Sequence, residues 1–329
     1  MSGPATISVL QAINLCLDHA LEADPTVVLF GEDIGDEQGG GVLKATKGLS
    51  TKYGVKRVRT TPIAEQAIIG AGIGAALGGM RPVAEIMLMN FTTVAMDMIV
   101  NHAAKLRFMS GGQTHVPMTI RTMSGTGRGS GGQHADMLEA WFAHTAGLKV
   151  VAASSPADTY GLMMSCIFDD DPCLIVEHLP SYSMLGAMPE KGLRIPLGKA
   201  CVAREGSDVT VIGYSRTVND SRAVAEKLSR EGISIEIVDL RTLSPLDMTT
   251  VLKSVGKTKR VVVVHEAVRN FGVGAEVSAR INEELFGDLQ APVQRLGAAF
   301  CPNPFAKPLE TAFIPSQSQI ENAIRTVLR

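Results

Sequence analysis

Short apolar runs rich in Val, Ile and Leu recur along this chain, each followed by a stretch with helical periodicity. That alternation confines the fold to parallel strands with crossover helices, an α/β architecture. The runs fall at residues 27–30, 81–86, 118–121, 147–152 and 173–177, then at 209–213, 234–239, 260–265 and 293–296. They show little polar alternation, as expected of strands covered on both faces. Helices are expected at 9–21, 66–77, 92–106 and 157–168, then at 218–230, 247–255, 274–286 and 316–328. In the 92–106 segment, Val94, Ala95, Met98 and Ile99 are available for a buried face.

With 329 residues, the chain has the length of two domains. The stretch 182–196 carries Gly186, Pro189, Gly192 and Pro196 with little periodicity, and reads as a linker. The expectation is therefore two parallel-sheet α/β domains, 1–185 and 201–329, joined by residues 186–200.

A balance of 31 basic against 33 acidic residues creates no field that would attract nucleic acid or an anionic membrane. No apolar run approaches the roughly 20 residues of a membrane helix. The start Met1-Ser2-Gly3-Pro4 lacks the charged-then-apolar layout of a signal peptide, so a cytoplasmic protein is expected. Five scattered cysteines form no Cys-x-x-Cys pair and read as small buried hydrophobes. The 33 glycines and 15 methionines suggest close backbone packing and adaptable apolar surface, a hint of oligomerisation.

Several features point to a ligand site. Gly31-Glu32-Asp33 puts acidic groups at the carboxyl end of a strand, where ligands of parallel sheets gather. Gly39-Gly40-Gly41 gives a flexible loop. Glu65 opens a helix whose glycines at 70, 72 and 74 each cost helical stability, and so call for a backbone or cofactor lying against them. Because Gly70-Ala71-Gly72-Ile73-Gly74 lies inside a helix rather than at a strand-to-helix turn, it is not a dinucleotide-binding loop. Residues 125–132 are almost all Gly, Ser, Thr and Arg, the composition of a mobile loop over a site, and His134 follows at once. Asp169-Asp170-Asp171 before Pro172 suits either a hard-cation site or a solvated helix-ending turn.

Thr61-Pro62-Ile63-Ala64-Glu65-Gln66, the glycines that follow it and Arg81-Pro82-Val83-Ala84-Glu85 resemble the pyrimidine-binding domain of thiamine-diphosphate enzymes. Further matches run in order along the chain: Thr46-Lys47-Gly48-Leu49, Asn101-His102-Ala103-Ala104-Lys105, Met109-Ser110-Gly111-Gly112, Gly147-Leu148-Lys149-Val150-Val151 and Asp239-Leu240-Arg241-Thr242-Leu243-Ser244-Pro245. Together they resemble the beta subunit of the decarboxylating component of 2-oxo acid dehydrogenases, pyruvate- or acetoin-dehydrogenase-like, over almost the whole length. Tyr182-Ser183-Met184 and Gly41-Val42-Leu43 lean towards the acetoin type.

The resemblance implies a thiamine-pyrimidine-binding domain followed by a transketolase C-terminal-like domain. It makes Glu65 the carboxylate that hydrogen-bonds the aminopyrimidine of thiamine diphosphate, favouring the imino tautomer whose nitrogen deprotonates the thiazolium. It sets Phe91 against the pyrimidine ring, and it makes His134 the imidazole that moves protons while a hydroxyalkyl or acyl group passes to a lipoyl acceptor. Met118, Cys166, Asp169 and Asp171 occupy the positions where related subunits hold a monovalent cation, potassium, largely through backbone carbonyls.

Two departures qualify this. Gln133-His134-Ala135-Asp136 stands where the family has Gln-His-Ser-Gln, and His144-Thr145-Ala146 lacks the usual proline, which leaves His144, like His102, with a structural role. The family's Gly-Asp-Gly magnesium clamp is absent, since Gly287-Asp288 is followed by Leu289. The diphosphate and Mg2+ are therefore expected on an alpha subunit, in an alpha2beta2 assembly served by a lipoyl acyltransferase core or another acyl carrier. Two alternatives stay open: transketolase-like two-carbon transfer from a ketose, motivated by Ala135-Asp136, and a non-catalytic assembly subunit.

Overall fold

In a computed structural model, residues 5–329 are described and form two compact units. The Met1–Pro4 start, read above for its lack of a signal layout, lies outside the described residues. The first unit comprises residues 5–124 and Trp141–Leu197; the second comprises Gly125–Ala140 and Gly198–Arg329.

The first unit is built on parallel strands in the order Lys149–Val151, Cys173–His178, Thr119–Ser124, Arg81–Leu88, Val27–Glu32 and Val58–Thr61. Its opening helix, Val9–Ala23, starts at a capping box in which the Gln11 N–H donates to Ser8 Oγ and the Ser8 N–H donates back to the Gln11 side chain. Ile13, Cys16, Leu17 and Leu21 fall on one face and are buried against Pro156–Ile167 and the sheet. Each Leu or Ile so buried contributes about 1.5–3 kcal/mol. The irregular stretch expected at 182–196 contains a short strand, Leu185–Ala187, paired antiparallel with Thr6–Ser8.

Residues 92–106 do not form the single α-helix expected of them. The chain passes instead through a 3-10 segment, Met89–Ala95, a π-helical segment, Met98–Ala103, and one α-turn, Leu106–Met109. Thr92 Oγ1 donates to the Met89 carbonyl at 2.5 Å and Thr93 Oγ1 to that of Asn90 at 2.7 Å, and such local bonds compete with regular α winding. The altered winding leaves Val94 55% exposed, while Ala95 and Ile99 are buried.

The second unit orders its strands Gln294–Ala298, Val261–Val268, Val209–Gly213, Ile235–Asp239 and Cys201–Arg204. All pairings are parallel except that of Cys201–Arg204, an antiparallel edge that the sequence pattern did not show. Helix Gln317–Leu328 begins at a Ser316–Gln319 capping box and buries Ile320, Ala323, Ile324 and Val327 on the sheet. A further helix, Lys307–Phe313, forms within a stretch left unassigned by periodicity.

Candidate active site

In the first unit, Glu65 is the first residue of helix Glu65–Leu77, immediately after the edge strand Val58–Thr61. No side chain caps this helix, since Ala64 holds the N-cap position, so its free N–H groups and dipole favour a carboxylate in the first turn. Glu65 is half-buried. Glu32 ends the neighbouring strand, registered with Thr61, and its pKa is raised by burial and by the nearby charges of Asp33 and Glu65. Phe91, half-buried, follows the carboxyl end of Arg81–Leu88 in the 3-10 segment that packs on the Glu65 helix. Glu32, Glu65 and Phe91 thus gather where three adjacent parallel strands end, the edge at which such sheets bind ligands.

Of the helix glycines, only Gly72 has the close approach anticipated for all of them. A Cβ there would lie 2.7 Å from Met118 Cε, whereas Gly74 has nothing within 4 Å. The Gly39–Gly41 loop is likewise held, with Gly40 N–H donating to the Gly35 carbonyl at 2.9 Å and Gly41 N–H to that of Asp33 at 2.8 Å.

Glu85, Arg121, Thr122, Glu177 and Tyr182 also line a small open pocket in this unit. Arg121, 2% exposed, donates through Nη1 to Glu85 at 2.5 Å, and through Nε and Nη2 to the two oxygens of Glu177 at 2.8 and 3.1 Å. The Tyr182 hydroxyl donates to Glu177 as well. Burial pushes the Glu85 pKa up against the opposing pull of Arg121. This network was missed by sequence reasoning, although it left a signal: charged residues inside apolar parallel strands must find partners.

The Asp169–Asp171 turn is saturated with internal cations. Lys149 Nζ contacts both oxygens of Asp169 at 2.6 and 2.7 Å, Arg81 reaches Asp170 at 2.8 Å and Arg107 reaches Asp171 at 2.6 Å. These carboxylates are already compensated and do not converge as a divalent-cation cage, and among the described residues no group of three metal-ligating side chains does so. The carbonyls of Met118, Cys166 and Asp169 accept from Cys173 N, Asp169 N and Arg81 Nη1 respectively. Beside Met118, the buried hydroxyl of Thr119 has no hydrogen-bond partner.

His134 belongs to the second unit, in the glycine-rich segment, and is half-buried, with its N–H on the Gly131 carbonyl at 3.2 Å. Ala135 is buried and its carbonyl accepts from Asn303 Nδ2 at 3.2 Å. Four residues on, Glu139 accepts from the Tyr214 hydroxyl at 2.5 Å, and burial lifts its carboxyl to about 7. The remaining histidines lie elsewhere: His144 is exposed, His102 pairs with Asp97 at 3.6 Å, and His178 is buried against Ser181 at 2.6 Å.

Two α/β units, the first with a carboxylate at the start of a helix on its ligand edge, define a transketolase-type domain pair. The transketolase pyrimidine-binding domain family matches residues 5–183 and the transketolase C-terminal domain family residues 198–320. The chain belongs to the family of E1 beta subunits of pyruvate and acetoin dehydrogenases. It is 44% identical to the acetoin:2,6-dichlorophenolindophenol oxidoreductase subunit beta of Cupriavidus necator, covering 98% of both chains. It is 42% identical to the pyruvate dehydrogenase E1 component subunit beta of Bacillus subtilis, over 98% of this chain and 99% of that one. The mitochondrial beta-1 subunit of Arabidopsis thaliana is also 42% identical, covering 100% of this chain and 90% of its own. A split-gene transketolase, described as an inactive beta4 tetramer, shares the fold with a TM-score of 0.78 at 21% identity, over 98% of each chain.

Proposed function

We propose that this chain supplies the aminopyrimidine side of a thiamine-diphosphate site in a pyruvate- or acetoin-oxidising dehydrogenase, completed by an alpha subunit. The observation that carries this reading is Glu65, uncapped at its helix start and grouped with Glu32 at the sheet's ligand edge, in a chain without Gly-Asp-Gly. Bound there, thiamine diphosphate supplies a carbon nucleophile and an electron sink. Glu65 would hydrogen-bond the ring nitrogen and hold the proton there. Phe91 offers a flat apolar wall to the ring. His134 donates and accepts protons during transfer to the lipoyl acceptor of an acyltransferase core.

The diphosphate and Mg2+ belong to the partner chain, in an alpha2beta2 assembly. A potassium ion would rest mainly on backbone carbonyls of Met118, Cys166, Asp169 and Asp171. Feeding pyruvate, acetoin and a ketose phosphate to the reconstituted complex tests the reading. Turnover of pyruvate or acetoin with a lipoyl acceptor is expected, and product from the ketose alone would overturn it.

A further inference from the structure

The glycine-rich segment has the composition of a free loop, with Gly125, Gly127, Gly129 and Gly131 all at positive φ. Such a backbone loses much entropy on ordering and needs specific contacts to hold one shape. In the second unit Glu266 accepts from the Thr126 N–H at 2.7 Å, and further contacts come from the stretch that ends in helix Lys307–Phe313. One oxygen of Glu310 accepts from both Gly127 N–H and Gly129 N–H, each at 2.9 Å. Lys307 Nζ donates to the Gly127 carbonyl at 3.1 Å. Asn303 Nδ2 reaches Thr126 Oγ1 at 2.6 Å and the Ala135 carbonyl at 3.2 Å. The Phe305 ring lies over Gly131, where a Cβ would sit 2.4 Å from it.

Within this set Glu310 is the buried charged member: it is 1% exposed, and its second oxygen, like the Asn303 Oδ1, is buried without a hydrogen-bond partner. A carboxylate in that position costs desolvation that a neutral residue would avoid. Its compensation is the pair of charge-assisted bonds to the two glycine amides, which form a backbone nest around one oxygen. The nest spans residues 127–129, and His134 follows five residues later, beyond the Gly131 turn and beside the Ala135 carbonyl that Asn303 holds.

We infer that Glu310 is a positioning residue: it pins the glycine-rich segment and thereby fixes His134 in its working orientation. The second half of this statement rests on the role proposed for His134; the first does not.

The test uses the assembled enzyme with its alpha partner and compares Glu310→Ala, Glu310→Gln, His134→Ala and the double variant His134→Ala/Glu310→Ala. In Glu310→Ala, amide hydrogen-exchange protection over residues 126–132 is expected to fall on the order of 100-fold, from the loss of two charge-assisted bonds. The kcat for acceptor transfer is expected to fall on the order of 10-fold with little change in KM. Glu310→Gln keeps the accepting oxygen and restores most of both. The double variant is no slower than His134→Ala alone, because the anchor acts through the histidine. Multiplying effects, or wild-type protection in Glu310→Ala, would overturn the inference. Full turnover in His134→Ala with lost protection in Glu310→Ala would sink the histidine's role and retain the anchor. If Glu310→Ala does not fold, Glu310→Asp, which keeps the charge but shortens the reach, is expected to show the same loss of protection.

Discussion

The carboxylates of Glu32 and Glu65 stand close enough at the ends of neighbouring elements for the charge of one to raise the pKa of the other. Burial is the larger cause at Glu32, and Asp33 adds to it. Replacing Glu65 by Gln removes one of the negative charges that Glu32 faces. The Glu32 pKa, followed by carboxyl NMR, is then expected to fall, and an unchanged value would show that the two do not interact.

Arg121, 2% exposed, compensates Glu85 and Glu177. Arg121→Ala leaves two buried carboxylates without their cation and is expected to cost about 3–5 kcal/mol in urea unfolding. Arg121→Lys recovers only part of this, since an ammonium cannot bridge both carboxylates in a planar fork.

Glu139 gives a pH dependence with a definite sign. Its folded pKa, about 7, lies above its unfolded value of about 4.3, so the folded state holds the proton more tightly. Its contribution is fully present below the unfolded pKa and is lost as pH rises through the folded one, a span worth roughly 4 kcal/mol. His265 works in the other direction: burial lowers its pKa to about 4, so its contribution is present above about 6.5 and is lost as pH falls. Unfolding midpoints of Glu139→Gln are expected to lose the alkaline limb and keep the acid one.

Glycine substitutions separate contact from backbone strain. A Cβ at Gly147 would lie 2.0 Å from the Ala104 carbonyl oxygen, at a φ of +91°, whereas Gly48 has a φ of +88° with nothing within 4 Å. Gly48→Ala is expected to cost only the left-handed strain, about 1–2 kcal/mol. Gly147→Ala is expected to cost more than that in the same thermal-unfolding measurement, because the segments must also move apart.

The apolar runs made the sheets legible because parallel strands need no polar alternation, whereas Glu65, a commonplace charge at a helix start on its own, was singled out by the resemblance of the Thr61–Gln66 segment. The 92–106 segment misled because its apolar spacing suits an α-helix, while the hydroxyls of Thr92 and Thr93 bond their own backbone and change the winding. Glu310 and Asn303 were invisible for another reason. Their partners lie 181 to 183 and 168 to 177 residues away, and no local pattern encodes a carboxylate meeting two distant amides.

The role proposed for Glu65, on the pyrimidine side of a shared cofactor site, is tested most directly by steady-state turnover of Glu65→Ala assembled with the alpha partner, Mg2+ and thiamine diphosphate. The complex is expected to assemble, with turnover reduced by about 10²–10⁴-fold. Wild-type turnover in that variant would contradict the account.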